Sequence, residues 1–155
     1  MLRATLLLIA TMLFASSAFA GEAADANLDI LRDTIRANKK AFVAANLTLT
    51  DAEAKDFWPL YDRYQAELKG VNDRLVKLID DYTTHYRELT DAEAGKIAAD
   101  YLAVEEDRAK VRRTYFADFT KVLPGKKAAR FYQIENKMDA VIRYDLASHI
   151  PVVEQ

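Results

Sequence analysis

The sequence predicts an all-α protein, its long helices folded back on one another as an extended antiparallel hairpin with a cradle-like form. Three observations carry that prediction. Only four glycines and three prolines occur in 155 residues, too little punctuation for a fold made of hairpins or a barrel. Between Phe57 and Tyr82 apolar residues recur at alternating steps of four and three, the period of helices packed along their length. The hexapeptide LTDAEA stands at 49–54 and again at 89–94, each time ahead of a long helical pattern.

Taken in chain order, residues 1–20 read as a secretory signal. Arg3 supplies the basic start, ATLLLIATMLFA the apolar stretch, and Ala18-Phe19-Ala20 the small-residue cleavage site. Gly21 is then the expected mature N-terminus, and 21–155 a single all-helical domain. The apolar run is too short for a stable membrane anchor after cleavage, and the absence of cysteine removes a lipid-modified one.

Leu28, Leu31, Ile35 and Phe42 predict a first amphipathic helix over 27–45. Phe57, Tyr61, Tyr64, Leu68, Val71, Leu75, Leu78 and Tyr82 predict a second over 51–88, with Pro59 expected to kink or bend it early. Ile97, Tyr101, Val104, Val111, Tyr115 and Phe119 stripe a third over 91–121, with Arg108 falling inside the seam. Phe131, Ile134, Met138, Val141, Ile142 and Leu146 mark a fourth over 125–148, after a turn at Leu123-Pro124-Gly125. Asp73–Lys77, Glu106–Lys110 and Asp139–Arg143 are the expected i,i+4 charge pairs, and IPVVEQ is an extended tail.

LTDAEA has a local physical meaning. A threonine at the cap position (Thr50, Thr90) accepts a hydrogen bond from the backbone N–H three residues on. The glutamate there (Glu53, Glu93) reaches back to the cap's own N–H, and Leu49 and Leu89 pin the incoming chain. Asp51 and Asp91 add negative charge at the positive end of the helix dipole.

The phrases Leu49-Thr50-Asp51-Ala52-Glu53 and Leu89-Thr90-Asp91-Ala92-Glu93 resemble the helix starts of the LTxxQ family of bacterial periplasmic proteins, of the Spy/CpxP type. Glutamate stands in both copies where that family has glutamine. The resemblance implies a periplasmic location and paired helices forming a cradle. It implies an ATP-independent holdase or envelope-stress adaptor that binds partly unfolded proteins or a sensor partner. It leaves a homodimer open. Metal-responsive relatives supply the alternative, a periplasmic metal sensor.

Composition narrows the chemistry independently. Setting Arg3 aside leaves 21 of the 22 basic residues against 24 acidic ones, a balance that does not suit a nucleic-acid binder. Lack of cysteine removes thiol catalysis and thiolate metal sites. No phosphate-binding glycine loop, nucleophile elbow or HExxH occurs. Glu105, Glu106 and Asp107 point 100° apart in succession and cannot jointly flank a bond. The chain therefore reads as non-enzymatic and without a cofactor. Asp81, His85 and Glu88 share one helical face, and His149 closes the last helix. His85, Glu88 and His149 are the candidate metal ligands, against the simpler reading of solvated helix ends.

Charge is uneven along the chain. Lys110, Arg112, Arg113, Lys121, Lys126, Lys127, Arg130 and Lys137 face only Asp118 and Glu135 within 110–137, while 72–107 holds ten acids and four bases. The candidate partner-binding residues are thus Arg112, Arg113, Lys126, Lys127 and Arg130 for attraction, with Tyr115, Phe116 and Phe131 for apolar contact.

Overall fold

The computed structural model describes residues 38–153, and from Lys40 onward these belong to one compact unit. They form four helices: α1 (Lys39–Asn46), α2 (Asp51–His85), α3 (Asp91–Val122) and α4 (Gly125–His149). The signal sequence and Leu28, Leu31 and Ile35 lie outside the described residues. α1 is short, and the other three are long.

Both LTDAEA phrases start helices by the expected device. Glu53 N–H donates to Thr50 Oγ1 at 3.3 Å, and Thr50 N–H to Glu53 Oε2 at 2.8 Å. The second copy repeats this with Glu93 and Thr90 at 3.3 and 2.9 Å. Each box satisfies two backbone donors that a helix N-terminus would otherwise leave to water. The helix then grows from a fixed point.

α2 runs unbroken for 35 residues, through Pro59, a rod of roughly 52 Å. The missing Pro59 donor costs about 3 kcal/mol. Phe57, Leu60 and Tyr61, each no more than 5% exposed, contribute about 1.5–3 kcal/mol apiece by burial. Burial wins, and the helix continues.

α2 and α3 are antiparallel along their length. Phe57 meets Phe119 at one end, Tyr64 meets Tyr115, and Arg74 Nη2 donates to Asp107 Oδ2 at 2.7 Å further on. α4 returns antiparallel to α3, through Phe119–Phe131, Phe116–Tyr132 and the Arg143–Glu105 ion pair at 2.5 Å. α4 therefore runs parallel to α2, joined by Lys127–Glu53 at one end and by Tyr82 Oη donating to the Pro151 carbonyl at the other. α2 and α4 meet through long side chains; none of their α-carbons come within 8 Å of each other.

The core is thickest beside the Leu123-Pro124-Gly125 turn. Phe57, Phe119 and Phe131 interlock with ring centroids 4.4–5.3 Å apart, flanked by Tyr61 and Tyr64. Such ring pairs contribute about 0.5–1.5 kcal/mol each beyond area burial. α1 closes this end: Lys40 bonds Asp62 at 2.7 Å and lies over the Trp58 ring, while Val43 is fully buried.

Some predicted placements shift. Asp73 pairs with Lys69 rather than Lys77, whereas Asp139–Arg143 forms at 3.1 Å. Tyr101, expected on the seam, is 43% exposed, and Leu78, Val141, Ile142 and Leu146 are half-buried. Packing thins where only the far ends of the helices meet.

Candidate functional site

On the outer side of the α3–α4 seam lies a groove of about 290 Å³, lined by Ala109, Arg112, Arg113, Phe116 and Tyr132. Phe116 and Tyr132 meet edge to face at 5.5 Å and remain 37% and 40% exposed. The Arg112 guanidinium lies over the Tyr132 ring, 5.0 Å from its centroid, a cation–π contact. Its amino groups reach Asp139 Oδ2 at 3.5 Å and Asn136 Oδ1 at 3.4 Å, both long for hydrogen bonds. Arg113 is exposed and has no ion-pair partner among the described residues.

A buried ionic cluster supports the groove from beneath. Arg108 Nη2 donates to Asp139 Oδ1, and Arg143 Nε donates to Asp139 Oδ2 at 3.1 Å, so three guanidiniums converge on one carboxylate. Arg143 also bonds Glu105, Arg108 bonds Asn72 at 3.2 Å, and Gln65 donates to Glu135 at 3.3 Å. The cluster links all three long helices. Burial lowers the pKa of Arg108, and the neighbouring Arg143 lowers it further. Arg108 Nε, Glu105 Oε1 and Tyr61 Oη are buried without a hydrogen-bond partner among the described residues. Burial, then the Glu135 charge, pushes the Tyr61 and Tyr64 hydroxyls well up. Both phenols stay protonated at neutral pH.

The structure divides the sequence-predicted binding set. It brings Arg112, Arg113 and Phe116 together in the groove. Tyr115 points to the other side of α3, its ring tilted against Tyr64 at 5.3 Å, where burial and a hydrogen bond with Glu67 raise its pKa. Phe131 corrects the expectation of surface contact: at 2% exposed it is a core residue. Lys127 is committed to Glu53 at 2.5 Å, and Arg130 Nε donates to the Asn46 carbonyl at 2.8 Å, so both tie α4 to neighbouring elements. Lys126 is exposed on the first turn of α4.

Sequence did not single out Tyr132 or Ala109, and it marked Asp139 only as the i,i+4 partner of Arg143 and Glu135 only as one of two acids in a basic stretch. Arg108 inside an apolar seam was the available signal, since a buried guanidinium demands a carboxylate close by. Which carboxylate answers depends on the rotation of α4.

The candidate metal ligands lie at or just past the ends of α2 and α4. His85 Nδ1 lies 3.0 Å from the Asp81 carbonyl, Glu88 N–H donates to the His85 carbonyl at 2.9 Å, and His149 Nδ1 lies 2.8 Å from the Asp145 carbonyl. Among the described residues no group of three or more His, Cys, Asp or Glu is placed to hold a metal, and no helix is long and apolar enough to cross a membrane.

What the groove offers chemically is two guanidiniums beside two half-exposed rings: charge attraction, stacking and apolar contact on one surface. Compared with known protein families, curated proteins and solved structures, the chain matches none.

Proposed function

We propose that this is a non-enzymatic binding protein of the cell envelope, an ATP-independent holdase or stress adaptor of the Spy/CpxP type, which takes partly unfolded proteins or a sensor partner at the outer α3–α4 groove. The observation that carries this reading is the joining of Arg112 and Arg113 with the exposed Phe116–Tyr132 pair in one groove. Apolar contact holds a partner without chemical energy, and the guanidiniums raise its encounter rate. The resemblance of the two LTDAEA helix starts and the signal-like residues 1–20 support the compartment.

The test is aggregation of a chemically unfolded protein with and without this one at near-equal molar ratio. Suppression that fades with rising salt is expected, because exposed charge attraction is screened over about 10 Å at 0.1 M salt. Absence of suppression, together with failure to retain any envelope sensor domain, would end this reading.

A further inference from the structure

We infer that the outer α3–α4 groove seats one amphipathic helix of a partner protein, acidic in the half that meets Arg112 and Arg113. This rests on the binding reading above and names the form of its partner.

Shape comes first. Leu102, Ala109 and Phe116 recur at steps of seven on α3, so they share one face over roughly 21 Å. Leu102 is 61% exposed, and Ala109 is exposed too. On α4 the bonds of Asn136 to Arg112 and of Arg143 to Glu105 fix which side of the helix meets α3. Tyr132, Ala140 and Tyr144 are exposed along that side. Large apolar groups thus stand at both ends of this face, Phe116 and Tyr132 in the groove and Leu102 and Tyr144 beyond it, with Ala109 and Ala140 between them. Small residues at the middle let a third helix axis approach to about 8–10 Å, and large ones at the ends would grip its first and last anchors.

Backbone hydrogen bonding selects a helix over an extended strand. Both walls are helices whose N–H and C=O groups are already paired along their length, so a strand laid here would find no ladder partners. A helix satisfies its own backbone and presents anchors at i, i+7 and i+14.

Charge sets direction. Arg113 is exposed and unpaired among the described residues, and Arg112 holds its partners only at 3.4 and 3.5 Å. Glu106, seven residues before Arg113 on the same face, is exposed as well. A uniformly acidic helix would meet repulsion at Glu106. One acidic only toward the Phe116 end is complementary throughout, and its orientation follows.

The probe is a labelled synthetic helix of about 18 residues with leucines at three heptad-spaced positions and glutamates confined to one half, titrated with the purified protein at low salt and read by fluorescence anisotropy. Ala109→Arg, which blocks the groove floor at an exposed position, and Arg113→Glu should each weaken binding at least tenfold, with circular dichroism unchanged. A peptide carrying lysines in place of those glutamates should recover affinity for Arg113→Glu. Equal binding of a proline-broken peptide, or no effect of Ala109→Arg, would overturn the helical partner. So would a self-associated state in which Ala109→Cys is protected from thiol reagents, since the occupant would then be a second copy. If aggregation suppression persists and responds to Arg113→Glu while no helical peptide binds, this inference fails alone. If suppression and retention of an envelope sensor domain are both absent too, the binding reading fails with it.

Discussion

Replacing Asp139 with asparagine keeps the shape of the side chain and removes the negative charge on which Arg108, Arg112 and Arg143 converge. Arg143 is 36% exposed and retains Glu105, so it adapts. Arg108 is the stranded group: its side chain is 12% exposed, its Nε has no partner among the described residues, and it keeps only the Asn72 bond at 3.2 Å. Removing one partner of a buried ion pair costs about 3–5 kcal/mol, most of it the penalty of the uncompensated charge left behind. The partial exposure of Arg143 places Asp139→Asn near the lower end, about 3 kcal/mol. Against a typical stability of about 5–15 kcal/mol for a domain, that is a large fraction. Urea unfolding followed by circular dichroism should show a lower midpoint at an unchanged slope. The double variant Arg108→Met, Asp139→Leu should recover part of the loss, because it removes the Arg108–Asp139 pair together and leaves Arg112 its Asn136 and Tyr132 contacts. A loss below about 1 kcal/mol for Asp139→Asn would refute the cluster as a tie between α3 and α4.

Further expectations follow from the same contacts. Thr50→Ala and Thr90→Ala should each cost about 1 kcal/mol in urea unfolding, since each removes the acceptor for an N3 donor. The carboxyl of Glu53 is held below the usual range chiefly by its bond to Lys127, and that of Glu93 by the Thr90 backbone N–H. Their contribution is complete above the ordinary carboxylate range and is lost as pH falls through the lowered folded values, so Glu53→Gln should flatten the acid limb of the stability–pH curve. Phe119→Ala, in the middle of the ring cluster, should cost about 3–5 kcal/mol and lower the thermal midpoint accordingly. Gly70→Ala, where an added Cβ meets nothing within 4 Å, should stabilise α2 by about 0.5–1 kcal/mol.

Helix starts and the α2 seam were legible because both are local. Thr50 and Glu53 lie three residues apart, and Phe57 through Tyr82 follow one period. Arg108 was visible as a charge inside a seam, but its partner Asp139 is 31 residues away. The same rotation of α4 decides between Phe131 and Tyr132, which point about 100° apart on one helix. It sends Phe131 into the core and leaves Tyr132 in the groove. The stripe Phe131, Ile134, Met138 already puts Phe131 on the seam, but no spacing shows that Tyr132 meets Phe116 across to α3. Likewise, the basic count around the last turn could not reveal that Lys127 is spent on Glu53 while Arg113 is left exposed.

The most direct measurement is site-specific photo-cross-linking to an unfolded test protein, with the reactive group placed in turn at Phe116, Tyr132 and Val76. Val76 is 61% exposed on α2, more open than either groove residue, and serves as the exposure control. Cross-links concentrated at Phe116 and Tyr132, and weakened by salt, are the expected result. Equal cross-linking at Val76, or cross-linking there alone, would contradict a partner-binding groove between α3 and α4.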